Sequence, residues 1–72
     1  MSEVPISDDI IRLGQFLKLA DLAESGADAR ALLDDRVVTV NGEAESRRGR
    51  QLVRGDVVEV DTPTGPISAT VG

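Results

Sequence analysis

Arg47, Arg48 and Arg50 put three guanidiniums in four consecutive positions around Gly49, and no other group in the chain concentrates chemistry so tightly. Arginine carries a planar fork of N–H donors that matches two phosphate oxygens at once. Gly49 lets the backbone turn tightly between them. Glu45 is the nearest acid, so the three cannot all find good ion pairs locally. One reading is contact with phosphate. The plainer one is a solvated loop whose arginines pair with acids elsewhere on the surface. Catalysis has no comparable candidate. The chain lacks histidine and cysteine, which removes the commonest general base and the commonest thiol nucleophile. Ser7, Ser25, Ser46 and Ser68 have no base to activate them. Asp8-Asp9 and Asp34-Asp35 are adjacent pairs that point to different sides of a helix or strand, and their spacing fits no calcium loop. Gly14 and Gly49 belong to no phosphate-cradle motif. The expectation is a protein with no catalytic residues, no metal and no cofactor.

Charge distribution sharpens the phosphate reading. The chain has 8 basic and 13 acidic residues, a net charge of −5. Residues 44–54 carry Arg47, Arg48, Arg50 and Arg54 against Glu45, a local +3, so the remainder sums to −8. A basic patch on an acidic body can grip a polyanion locally while repelling it at long range. With 72 residues, the chain makes one domain, 1–72, and buries only about 60% of the surface it exposes when unfolded. Its core must be aliphatic, with Phe16 as the sole aromatic. No apolar run approaches the roughly 20 residues that span a bilayer. The acidic start MSEVPISDD lacks the apolar segment of a secretory signal. A cytoplasmic protein is expected, and a monomer, because no coiled-coil seam is visible.

The elements that must hold the arginines follow from periodicity. Leu13, Phe16, Leu17 and Ala20 fall at i, i+3, i+4 and i+7, one apolar face of a helix with Lys18 nearly opposite. Before it, residues 4–12 read as extended, a short edge strand. Ser25 caps a second helix, with Asp28 three residues on in a capping-box-like pattern. Ala29, Leu32 and Leu33 form its buried stripe, and it ends near Arg36. Arg30 has Asp34 at i+4, a pairing of roughly 0.2–0.5 kcal/mol. The period then changes to 2: Val38 and Val40 face inward, and Asn41-Gly42 signals a tight hairpin. Residues 43–46 return as a strand. Val58 and Val60 face inward after the turn at Arg54-Gly55-Asp56. Thr62 to Pro66 breaks the chain, and Ile67, Ala69 and Val71 alternate along a last strand. The sum is an α+β fold: two short helices packed on one face of a small twisted, mostly antiparallel sheet.

The order of these pieces resembles a known family. Arg12-Leu13 opens a helix and Leu17-Lys18 follows. Ser25, Ala29 and Arg30 lie on a capped second helix. Val38 to Gly42 makes a Val-x-Val-Asn-Gly hairpin, and Gly55 to Val60 closes the pattern. Over about residues 12–61 the chain resembles the RNA-binding domain first seen in small-subunit ribosomal protein S-four, the alpha-L motif. The strings LGQFLKLA and RRGR are further similar to the small stand-alone bacterial members, the YaaA/YbcJ-like proteins. The resemblance implies two helices against a bent sheet and non-catalytic binding of structured RNA, ribosomal or transfer RNA, on a face made by the helices and the adjoining hairpin. It places Arg12, Lys18, Ser25, Arg30 and Arg36 on or near that face, extended by Arg47, Arg48 and Arg50. Arg36 stands where the family often has glycine, which implies a positive φ there or a different helix end.

Two functions compete at this point. In one, the cations bind the backbone of structured RNA, with the ribosome as a possible setting, and the helix pair fits the shape of a stem or junction. In the other, the acidic body docks on a basic partner such as a ribosomal protein, and the arginine loop is a salt-bridging rim.

Overall fold

The computed structural model describes residues 2–72; Met1, the first residue of the expected domain, lies outside the described residues. In chain order the elements are β1 (Ser2–Val4), β2 (Ile10–Arg12), α1 (Leu13–Leu19), α2 (Gly26–Asp34), β3 (Val38–Val40), β4 (Glu43–Ala44), β5 (Gln51–Val53), β6 (Val57–Thr62) and β7 (Gly65–Val71). Five strands form one sheet in the order β1-β7-β6-β3-β4, while β2 and β5 pair as a separate antiparallel ribbon. All pairings are antiparallel except β1 with β7. The fold is therefore α+β with a mostly antiparallel sheet, as the patterning implies.

One apolar cluster holds the layers together. Leu13, Phe16 and Leu17 of α1 and Ala29 and Leu33 of α2 meet Val38, Val40, Val58, Val60, Ala69 and Val71 from one face of the sheet. The inward valines are set by register, since Val38 lies opposite Val60 and Val40 opposite Val58. A one-residue slip would turn all four to solvent. Leu52 of the β2–β5 ribbon is also fully buried and ties that ribbon to the same core.

Turn chemistry follows the sequence closely. Asn41 and Gly42 both take positive φ, 53° and 84°, the conformation a two-residue hairpin loop requires. The Asn41 side chain also braces a second turn: its Nδ2 donates to Asp56 Oδ1 at 3.0 Å, and its Oδ1 accepts from the Val57 N–H at 2.9 Å. Asp56 Oδ2 in turn accepts from the Val53 N–H.

Three expectations need correction. The extended segment 4–12 is not one edge strand; Pro5 and the bend after it divide it between β1 and β2, which belong to different sheets. Residues 43–46 return as strand only through Ala44, because the Ser46 and Arg47 N–H groups turn to the Glu45 carboxylate rather than to a neighbouring strand. The break at 62–66 is a turn of just Pro63 and Thr64, since Thr62 already pairs with Gly65 and Asp61 with Pro66. Pro66 is tolerated because β1 pairs only with residues 69–71, leaving the other side of β7 unpaired there. Ile67 shares the alternation of Ala69 and Val71 but is 50% exposed, in this same stretch where β7 has no β1 neighbour. No helix among the described residues is long and apolar enough to cross a membrane.

Candidate nucleic-acid interface

The arginine loop is bolted to the start of α1. Arg12, the residue before the helix, offers no side-chain cap. The first helical N–H groups turn instead to the loop: Leu13 N–H donates to Arg50 O at 2.8 Å and Gly14 N–H to Arg48 O at 2.9 Å. These are orphan donors that a helix N-terminus must satisfy somehow. The β2–β5 pairing, Arg12 opposite Gln51, brings the loop into position to do so.

Glu45 organises the loop from inside. It is 8% exposed and is the one buried charged residue among those described. Its Oε2 accepts from the Ser46 N–H (3.0 Å), the Arg47 N–H (3.2 Å) and Arg47 Nε (3.2 Å). Its Oε1 accepts from Arg47 Nη2 (3.0 Å) and Arg50 Nη1 (3.2 Å). One acid thus engages two of the three loop arginines, which adjacency along the chain did not suggest. The Arg47 side-chain hydrogen bonds, reinforced by the Arg47 N–H and the Arg50 guanidinium, overcome the opposing effect of burial. They hold the Glu45 carboxyl down to about 2, from an ordinary 4.5. A depressed folded-state pKa stabilises above the unfolded value and is lost as pH falls through the folded one. The melting temperature of the parent should therefore exceed that of Glu45→Gln at neutral pH. That gap should close between about pH 4.5 and 2, as thermal melts across this range would record.

Arg48 is left for other work. Its side-chain stem lies directly over Gly14, where an added Cβ would fall on Arg48 Cγ. Glycine at this helical position is thus required by a close approach. Arg48 lines a cleft of about 300 Å³ together with Arg12 and Lys18, floored by Gly14, Gly26 and Gly49. It also lines a second cleft of about 330 Å³ with Arg30, Asp34 and Ser46. Ser46 continues into a third, of about 240 Å³, with Arg36 and Glu45. Through shared walls, Arg12, Lys18, Arg48, Arg30 and Arg36 follow one another along adjoining concavities. Arg12, Lys18, Arg36 and Arg48 have no carboxylate within 4.0 Å among the described residues, where the ion pairs are Arg30–Asp34, Arg47–Glu45, Arg50–Glu45 and Arg54–Asp9. The Arg30–Asp34 approach is 3.9 Å between two exposed side chains, so it constrains Arg30 little.

The remaining expected residues sit as follows. Ser25 caps α2, its Oγ accepting from Asp28 N–H at 3.2 Å, and it does not line the clefts. Arg36 takes φ of 60°, the conformation for which its position favours glycine, and the helix proper ends at Asp34. Arg47 and Arg50 border the site but are tied to Glu45. Sequence reasoning overlooked Gln15 and set Gly14 and Gly49 aside because neither sits in a phosphate-cradle motif; Gln15 at i+3 from Arg12 was the available signal. A larger groove of about 700 Å³ flanks the first cleft, but Lys18 is its one cation and apolar side chains such as Ile10, Ile11 and Leu19 dominate it.

These features define a small α+β module that carries a basic cleft where two helices and a loop meet. The family model described as the S4 domain matches residues 4–67, and the chain belongs to that family. It is also similar to a Bacillus subtilis (strain 168) protein named "Probable ribosome maturation protein RlbA", with 50% identity over 58 residues, 81% of this chain and 82% of the relative.

Proposed function

We propose that this protein is a non-catalytic, cytoplasmic RNA-binding domain that recognises structured RNA, ribosomal or transfer RNA, in association with the ribosome. The observation that carries the reading is the convergence of Arg12, Lys18 and Arg48 on one cleft with no carboxylate within ion-pairing distance of them among the described residues. Unpaired cations around a concave, glycine-floored surface suit phosphate oxygens, because nothing must be displaced and the RNA backbone can approach closely. Arg30 and Arg36 extend the track along the adjoining concavities. The absence of exposed aromatics (Phe16 is fully buried) favours recognition of shape and phosphate over stacking on splayed bases. Membership of the S4 domain family and similarity to a protein named for ribosome maturation support the same reading.

A salt titration tests it. Each phosphate contact releases counterions, so log K falls with log salt by roughly 0.7–0.9 per contact. Three to five contacts give an expected slope of roughly −2 to −4.5 for binding to ribosomal RNA fragments. A slope near zero, or no binding at low salt, refutes the proposal. The rival reading, docking on a basic protein, draws on a separate groove of about 440 Å³ lined by Asp21, Glu24, Asp28 and Asp35 with no cation. Binding to a basic protein without any to RNA would favour it.

A further inference from the structure

The three loop arginines look equivalent in sequence, but their surroundings are not. Arg47 turns its Nε–Nη2 edge onto both oxygens of Glu45. That occupies one of the two bidentate edges of its guanidinium and largely neutralises its charge, so a phosphate gains less from Arg47 than from an unpaired arginine, although the side chain is 76% exposed. The Arg50 side chain is only 28% exposed and donates to the same carboxylate. Arg48 forms no ion pair among the described residues, stands exposed, and lines two adjoining clefts. Its own carbonyl and that of Arg50 are fixed by the first N–H groups of α1. The loop is therefore held at both ends: by α1 through backbone carbonyls, and by Glu45 through Arg47 and Arg50.

We propose that Glu45 is a positioning residue which, by clamping Arg47 and Arg50, sets the loop so that Arg48 is the one loop arginine that contacts RNA phosphate. This deepens the RNA-binding reading and rests on it for the role of Arg48. The clamp itself does not depend on RNA. An acid at the centre of a polyanion-binding loop would by charge alone weaken binding. Its benefit is preorganisation: Arg48 reaches the cleft without the loop having to be ordered upon binding.

Two measurements on the full chain test this. In native-state hydrogen exchange, Glu45→Gln should speed exchange of the Leu13 and Gly14 amides by about tenfold, since charged hydrogen bonds holding their acceptors are lost. Amides of the central strand β6, which open only on global unfolding, should accelerate less, by the factor that the drop in melting temperature implies. Unchanged protection at Leu13 and Gly14 overturns the clamp, and so does an equal acceleration everywhere, which marks a general loss of stability. In binding to a ribosomal RNA stem fragment, Arg48→Gln should reduce affinity roughly tenfold and shrink the salt slope by about one contact. Arg47→Gln should leave that slope unchanged. Equal slope losses for the two variants overturn the division of roles. If the parent binds no RNA, the functional reading fails with Arg48's role in it, while the exchange result still decides whether Glu45 holds the loop.

Discussion

Arg48→Glu should lower affinity for structured RNA by about a hundredfold at physiological salt, the largest effect of any single surface change. The substitution removes a charge-assisted contact of about 1.5–3 kcal/mol. It also places a carboxylate in the cleft that Arg12 and Lys18 share, where it neutralises those cations and repels the incoming phosphate. Together these amount to about 3 kcal/mol, or two decades in Kd. The fold should survive, because Arg48 is exposed and its structural contribution to α1 is its backbone carbonyl. Arg54→Glu makes the same change in net charge and serves as the control. Arg54 pairs with Asp9 at 3.1 Å and lines none of the three basic clefts. Because it lines none of these clefts and exposed charges are screened by salt, its reversal should change affinity by less than about threefold. Equal losses for the two reversals, measured by fluorescence anisotropy, would mean that overall charge rather than the cleft governs binding.

Phe16→Ala should abolish stable folding near body temperature. Phe16 is the largest fully buried side chain and sits where α1 meets α2 and the sheet. Truncating such a residue costs about 3–5 kcal/mol. Folded chains have about 0.05–0.15 kcal/mol of stability per residue, so a domain of this size holds only about 4–11 kcal/mol in total. With no disulfide and no metal cluster among the described residues, nothing else compensates. At roughly 4–8 °C per kcal/mol, the melting temperature should fall by tens of degrees. A drop of only a few degrees in a circular-dichroism melt would show that the cluster described above is not the cooperative core.

Much of this architecture can be read locally. The spacing of Leu13, Phe16 and Leu17, the cap at Ser25, the Asn41-Gly42 turn and the inward Val38, Val40, Val58 and Val60 each express a short-range rule, and each appears in the fold. What escapes local reading depends on partners distant in sequence. The pairing of Ile10–Arg12 with Gln51–Val53 leaves no periodic trace in either triplet, yet it carries the arginine loop to α1. Glu45 looks like one more solvated charge until the fold encloses it between two guanidiniums and two backbone N–H groups. The tie from Asn41 to Asp56 is invisible for the same reason, since each residue already has a sufficient local role in its own turn. The site was legible as a set of cations. Their division into cleft-lining and loop-holding members was not, because that depends on where one carboxylate is buried.

The acidic remainder has a physical consequence for the proposed activity. With a net charge of −5, long-range attraction to RNA is weak and a polyanion is held only when the cleft is engaged at close range. Such a distribution favours shape-dependent binding over indiscriminate coating of RNA.

The most direct test is an NMR titration of the isotopically labelled protein with a structured ribosomal RNA fragment. The largest perturbations should fall at Gly14, Gln15, Lys18, Gly26 and the Arg48 side chain, with the groove around Asp21, Glu24, Asp28 and Asp35 unmoved. Perturbations centred on that acidic groove, or spread evenly over opposite surfaces, would contradict binding at the cleft.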